Sequence, residues 1–153
     1  MKKGLVSWEF RNFVRDPFDV AASLIARCGG EASFFGLTRG LYAEQADWIG
    51  KIQAADPAKM QSLQTMTPAQ QFSTIADIAG LKPFAAMRGV PRAKAEACLA
   101  DEAAVNQLVQ MNSDAASNFN IPGTPSFLIN GTLVDKAATW EALEPKIKEA
   151  LAG

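Results

Sequence analysis

The 153-residue chain contains no histidine and only two cysteines. Without an imidazole, Ser-His-Asp catalysis, Cys-His catalysis and every metal site that uses histidine are excluded. A structural zinc site needs four cysteine or histidine ligands, and two thiols are too few to build one. We therefore expect neither a metal nor any other cofactor.

The sequence also lacks a charge excess and a long apolar run. Fifteen Lys and Arg residues stand against sixteen Asp and Glu residues, which gives a net charge of -1. Binding to nucleic acid usually requires a basic excess, so we expect no nucleic-acid partner. No stretch reaches the roughly 18 apolar residues of a membrane span, and the first residues lack the features of a signal peptide. We expect no membrane span.

What is present is enough apolar sequence for one globular domain. Hydrophobic residues make up 48% of the chain, and about 100 to 200 residues per domain is the usual range. We find no internal repeat, low-complexity tract or long linker. Residues 1–153 are therefore predicted to form a single domain.

The N-terminal third begins with a strand pattern and continues with a helix pattern. Leu5 to Val14 is rich in aromatic and branched residues on both alternations, which predicts an internal strand. Asp16 followed by Pro17 is typical of a helix N-cap and first helical position. The apolar stripe of this helix ends at Cys28, where two glycines can stop it.

The middle of the chain is predicted to be helical throughout. Apolar residues recur at helical spacing, and proline or aspartate marks the starts of several segments. The predicted helical segments are 31–52, 57–63, 68–79, 83–88, a short helix opened by Pro91, and a long helix from an Asp101 cap to Phe119.

Strand and turn chemistry returns after Phe119. Pro125 to Asn130 is a short apolar strand, and Asn130-Gly131 is the dipeptide preferred in two-residue hairpin turns. Thr139 then caps a closing amphipathic helix. This order of elements predicts an α/β domain with a helical insertion over residues 17–100.

Gly123-Thr124-Pro125 is the most informative stretch for function. Proline at the first residue of a strand costs no ladder hydrogen bond, so a strand-initiating proline is one interpretation. The other is a cis-proline loop whose exposed backbone pairs with an extended peptide, since X-Pro bonds adopt cis at modest cost.

Two segments resemble the thioredoxin-fold oxidoreductases of the DsbA type. The run FNIPGTPSFLING (119–131) is similar to their cis-proline loop and hairpin, and FRNFVRDPFDVAASLIARCGG (10–30) is similar to a strand and first inserted helix. The order of elements also agrees. The resemblance implies a thioredoxin-like α/β fold with an inserted helical subdomain, and substrate binding by Gly123, Thr124 and Pro125.

The sequence departs from that family in having no Cys-x-x-Cys motif. In the family this motif begins a helix that follows a strand, and about 30 residues for such a unit would have to precede Met1. We expect the chain to be a fragment of a longer protein, the alternative being a degenerate member. The surface left without that unit would promote dimerisation.

Cys28 and Cys98 lie 70 positions apart and lack the close spacing that activates a thiol. Their residue pattern leaves open a structural disulfide, two buried free thiols and, least favoured, catalysis. The resemblance favours the disulfide, because some DsbA-like proteins carry a second cystine in the helical subdomain. A disulfide would also indicate an oxidising compartment.

Two functional hypotheses follow from the resemblance. The first is a thiol-disulfide oxidoreductase or isomerase that acts on extended or unfolded exported proteins in the periplasm, with this chain redox-inactive because it lacks the reactive dithiol. The second is a non-catalytic, chaperone-like module that binds peptides by strand addition. Glu9, Arg11 and Trp48 are weaker candidates, better explained by an ion pair and by core or rim packing.

Overall fold

Helices account for most of the regular structure in the computed structural model, which describes residues 4–153. The chain divides into two compact units. The helical unit comprises Val14–Val109, and the loop unit comprises the residues up to Phe13 together with Gln110–Gly153. The helices are α1 (Pro17–Cys28), α2 (Glu31–Ala43), α3 (Gln45–Gln53), α4 (Pro57–Ser62), α5 (Pro68–Ile78), α6 (Leu81–Ala86), α7 (Arg92–Leu99), α8 (Glu102–Ser117) and α9 (Trp140–Ala152).

The start of α1 is confirmed at the predicted residue. The Asp16 carboxylate accepts hydrogen bonds from the N–H groups of Phe18 and Asp19, both at 2.9 Å, and Pro17 occupies the first helical position. These bonds satisfy donors that a helix otherwise leaves unpaired. Helix α1 then packs against α2, α5, α6 and α7, so it forms the centre of the helical unit.

The turn from α1 to α2 depends on Gly30. Its φ of 76° lies in the left-handed region, where a side chain is unfavourable. Gly29, by contrast, keeps a right-handed conformation with φ of -76°. Of the two glycines predicted to end α1, only Gly30 therefore adopts a conformation that favours glycine.

The single helix predicted over residues 31–52 is wrong in one respect, because it is divided at Glu44. Helix α2 ends at Ala43 and α3 begins at Gln45. The Leu41 carbonyl, whose partner in a continuous helix would be the Gln45 N–H, accepts a hydrogen bond from the indole Nε1 of Trp48 at 2.9 Å. The side chain of Trp48 thereby replaces a backbone partner at the break.

The other predicted helices are present with shifted ends. A short 3₁₀ turn, Leu63–Thr65, follows α4. Helix α5 begins with a capping box between Thr67 and Gln70. Helix α6 begins at Leu81, two residues before the predicted Pro83, and the Asp101 carboxylate accepts from the Ala104 N–H at the start of α8.

The strand predicted over residues 5–14 is wrong. Residues 6–15 belong to neither a helix nor a strand. Within residues 4–153, the sheet contains β1 (Leu128–Ile129) and β2 (Thr132–Leu133) alone. An apolar alternation predicts which residues could be buried in a sheet, but a strand exists only where a neighbour completes the hydrogen-bond ladder.

The hairpin is confirmed, although its first strand is shorter than predicted. Leu128 pairs with Leu133 and Ile129 with Thr132 in antiparallel register. Asn130 and Gly131 form the turn with φ values of 49° and 82°. Positive φ at both central residues is the geometry that matches the twist of the flanking strands.

The predicted cap of the closing helix is confirmed as well. The Thr139 hydroxyl accepts a hydrogen bond from the Ala142 N–H at 3.4 Å, and α9 follows directly. Across the described residues, none of the helices is both long and apolar enough to cross a bilayer.

Candidate functional site

The Gly123-Thr124-Pro125 segment is a short loop between α8 and β1. Thr124 and Pro125 are exposed, Gly123 is half-buried, and the Thr124–Pro125 peptide bond is cis. The hydroxyl of Ser126 donates a hydrogen bond to the Gly123 carbonyl at 2.6 Å. This bond ties the two ends of the loop together across Thr124 and Pro125.

The backbone of Thr124 is available for pairing. Within residues 4–153, neither its N–H nor its carbonyl has a hydrogen-bond partner. An unpaired donor and acceptor on an exposed residue can pair with an extended peptide in the manner of an added strand. The loop therefore presents main-chain groups, and no titratable side chain, to a ligand.

Residues of the N-terminal segment contact both ends of this region within the loop unit. The ring of Trp8 lies 5.9 Å from that of Phe127, two residues after Pro125. The guanidinium of Arg11 lies 5.7 Å from the ring centre of Phe119, which precedes the loop. These two contacts, one between rings and one between a guanidinium and a ring, hold the N-terminal segment against the residues that carry the loop.

Glu9 and Arg11 form an ion pair with each other, whereas the sequence favoured ion pairs with a neighbouring strand or helix. Arg11 Nε donates to Glu9 Oε1 at 2.7 Å. This hydrogen bond, together with the positive charge of Arg11, lowers the pKa of Glu9. Both side chains are largely exposed, so the pair contributes little to stability.

Cys28 and Cys98 form a disulfide with a Cα–Cα distance of 5.7 Å. Of the three alternatives that the residue pattern left open, the structure shows the bridge. It joins the last residue of α1 to the penultimate residue of α7. It therefore ties two helices of the helical unit that are far apart in sequence.

The placement of both sulfurs is typical of a structural bridge. Reactive cysteines lie at helix N-termini, where the helix dipole stabilises a thiolate. Cys28 and Cys98 lie at helix C-terminal ends, where the dipole has the opposite effect. Cys28 is buried at 6% exposure, which further limits attack on this bond.

The sequence reasoning missed an ion cluster in which the buried Lys82 meets Asp77, Glu96 and Ser73. The side chains of Asp77 and Glu96 are partly exposed, at 44% and 40%. Lys82 is only 1% exposed, and its ammonium donates to Asp77 Oδ2 at 2.7 Å and to Ser73 Oγ at 2.8 Å. It also lies 2.6 Å from Glu96 Oε1. The available signal was a lysine within the apolar run Ala79 to Ala86.

The cluster is closed by a hydrogen bond from Ser73 Oγ to Glu96 Oε2 at 2.7 Å. Hydrogen bonds from Lys82 and from Ser73 lower the pKa of Glu96. The Lys82 ammonium therefore has two hydrogen-bond acceptors, Asp77 and Ser73, and an ion-pair partner, Glu96. These partners surround the ammonium, so we do not assign it to a ligand site.

Trp48 lines a shallow cavity of about 270 Å³ in the helical unit, together with Pro83, Phe84 and Met87. Its indole N–H is already used in the bond to Leu41. Trp48 is half-buried, so it lies at the rim of the helical core.

The chain belongs to the thioredoxin family, since the family model described as Thioredoxin matches residues 1–149. A solved structure titled as a protein-disulfide isomerase from Novosphingobium aromaticivorans is similar to it, with 35% identity and a TM-score of 0.83. The match covers 94% of this chain and 73% of that one. No curated protein matches the sequence significantly. These findings establish the thioredoxin-like fold and support the DsbA-like resemblance.

Proposed function

We propose that the chain takes part in thiol–disulfide exchange on exported proteins by binding the polypeptide, and that the 153-residue chain itself has no redox turnover. Membership of the thioredoxin family and the likeness to a protein-disulfide isomerase support the reaction class. The unpaired backbone of Thr124, an exposed residue, is the observation that carries the binding role.

In this proposal an extended or unfolded polypeptide pairs with the N–H and the carbonyl of Thr124. Main-chain pairing makes binding tolerant of sequence, because every residue of the partner except proline offers the same donor and acceptor. The bond from Ser126 to Gly123 holds the loop in place before the peptide arrives, which lowers the entropic cost of binding.

The exchange step itself needs a thiolate that attacks the substrate disulfide. The attack forms a mixed disulfide and releases one substrate thiolate, and a second thiolate then releases the other. Cys28 and Cys98 are bonded to each other at helix C-terminal ends, so they are poorly suited to either role. The attacking thiolate must therefore come from a different cysteine.

An exported location is part of the same proposal. The Cys28–Cys98 disulfide supports it, because such bonds persist in oxidising compartments such as the periplasm.

Redox assays on the 153-residue chain test the absence of turnover. The chain is assayed for insulin reduction in the presence of dithiothreitol and for oxidation of a dithiol peptide, beside the double variant Cys28→Ala/Cys98→Ala. We expect both proteins to leave the rates at the level of the protein-free control. Turnover by the parent chain that the Cys28→Ala/Cys98→Ala variant lacks would show that this disulfide is a redox centre.

A chaperone-like module is the second candidate, and the chemistry of the loop favours it. Pairing through Thr124 involves no sulfur, so a polypeptide without cysteine would bind equally well. In that case the chain slows aggregation of an unfolded, cysteine-free protein at stoichiometric ratios. A chain that binds only polypeptides with a disulfide or thiol would exclude this candidate.

A further inference from the structure

The Lys82 cluster and the Cys28–Cys98 disulfide hold the same short helix, α7. Glu96 of α7 contacts Lys82 of α6 and Ser73 of α5, whereas Cys98 of α7 is bonded to Cys28 of α1. One turn earlier, Arg92 of α7 lies 3.3 Å from Asp77 of α5. Both sets of contacts therefore act on one eight-residue element.

Helix α7 depends on such contacts for its position. Helices this short are marginal by themselves, and Pro91 at its start provides no side-chain cap. Its fully buried side chains are those of Ala95 and Leu99. Alanine buries little apolar area, so the hydrophobic contribution to the placement of α7 comes mainly from one residue, Leu99.

Glu96, which joins the ion cluster, and Cys98, which forms the disulfide, lie on different sides of α7. Glu96 and Cys98 are two residues apart, which corresponds to about 200° around a helix of 3.6 residues per turn. The ion cluster consequently fixes the rotation of α7 about its axis from the side away from the disulfide. A disulfide tolerates only a narrow range of Cα–Cα distances, so rotation or sliding of α7 would separate the two sulfurs.

We propose that the Lys82 cluster is a positioning device for the Cys28–Cys98 pair, so that the ion cluster and the disulfide stabilise each other. In the oxidation step each of the two thiols loses one proton and one electron, and the S–S bond forms. A small-molecule disulfide such as oxidised glutathione accepts them and yields two glutathione thiols. With α7 already held by Lys82, the Cys98 thiol lies near Cys28 before the bond forms, which raises their effective concentration.

By thermodynamic linkage, the coupling between the Lys82 cluster and the disulfide acts in both directions. If the cluster favours the bonded form of the cysteines, the disulfide favours the intact cluster by the same factor. Reduction of the bond would then loosen the Lys82 contacts, and loss of the cluster would make the bond easier to reduce. A purely structural cluster would stabilise the oxidised and the reduced protein equally.

The test measures the equilibrium between the chain and a series of reduced and oxidised glutathione mixtures. After acid quenching, alkylation and mass measurement give the oxidised fraction for the parent chain and for Lys82→Met. We expect the equilibrium constant for formation of the Cys28–Cys98 disulfide to fall about tenfold in Lys82→Met. A change of this size is within the range of interaction free energies measured between residues in contact. The matched control is Lys51→Met, which removes an exposed lysine paired with Asp47 and should change the constant less than about twofold.

A second variant covers the case in which Lys82→Met does not fold in its reduced form, as judged by circular dichroism. Glu96→Gln keeps the shape of the side chain and removes one charge, and we expect about a threefold fall. An equilibrium constant within twofold of the parent in the folded variants would overturn the proposal.

Urea unfolding supplies an independent readout. Lys82→Met should cost more stability in the disulfide-bonded chain than in the Cys28→Ala/Cys98→Ala background, by the same tenfold factor in the unfolding constant. Equal costs in the two backgrounds would show that the cluster is structural and uncoupled from the bond.

Discussion

The helical unit and the loop unit differ sharply in how much apolar surface they bury. Among the described residues, all the buried hydrophobic side chains except Ala137 and Leu143 lie in the helical unit. Five of the nine exposed large hydrophobic side chains of the described residues lie in the smaller loop unit, namely Leu5, Trp8, Leu128, Trp140 and Leu151. The helical unit thus has a core of its own, whereas the loop unit has a small one.

The polar contacts follow the same division. The helical unit contains both the disulfide and the Lys82 cluster, which fix helices to one another. The loop unit instead contains a backbone donor and acceptor without partners in the described chain, at Thr124. Stability therefore resides mainly in the helices, and the candidate binding groups lie in the less buried part, as is common for binding loops.

A pair of large-to-small substitutions tests this comparison with the largest expected effect. Ile25 in α1 is completely buried, so Ile25→Ala should lower the free energy of unfolding by about 2–5 kcal/mol. Leu151 in α9 is 49% exposed, and Leu151→Ala should change it by no more than about 0.5 kcal/mol. Urea denaturation measures both. Comparable losses for the two variants would show that the loop unit also depends on a well-packed core.

A smaller expected effect is the difference between Glu96 of the helical unit and Glu9 of the loop unit in how each contributes to stability at low pH. The pKa of Glu96 is lowered mainly by the hydrogen bonds from Lys82 and Ser73, so its contribution to stability is present above pH 4.5, the ordinary glutamate value. That contribution is lost as the pH falls through the lower value of the folded state. The pKa of Glu9 is also lowered, but its ion pair with Arg11 is more exposed and therefore better screened by solvent.

Acid titrations of unfolding measure the difference. Glu96→Gln should flatten the loss of stability below about pH 4.5 more than Glu9→Gln does. A larger effect of Glu9→Gln would indicate that the loop unit contributes more electrostatic stability than its exposure suggests.

The sequence predicted those features that local chemistry determines. Asp16 and Pro17 specify the start of a helix, and Asn130-Gly131 specifies a turn, because each acts through neighbouring backbone groups. The loop at Thr124 and Pro125 was identified by its resemblance to the family rather than by spacing.

Features that depend on distant partners were not predictable in this way. Residues 6–15 have a strand pattern, but a ladder needs a neighbour that their own sequence does not specify. The break at Glu44 depends on Trp48 reaching Leu41, and the burial of Lys82 depends on Asp77 and Glu96 from other helices. Self-association through the exposed apolar side chains of the loop unit remains a prediction.

Binding of a polypeptide without thiols at Thr124 is the most direct test of the account. A reduced and alkylated unfolded protein is titrated into the ¹⁵N-labelled chain, and amide shifts are followed by NMR. We predict saturable shifts concentrated at the amides of Gly123, Thr124 and Ser126. Saturable binding that leaves these three amides unchanged, or no binding at all, would contradict the proposal that this loop receives an extended peptide.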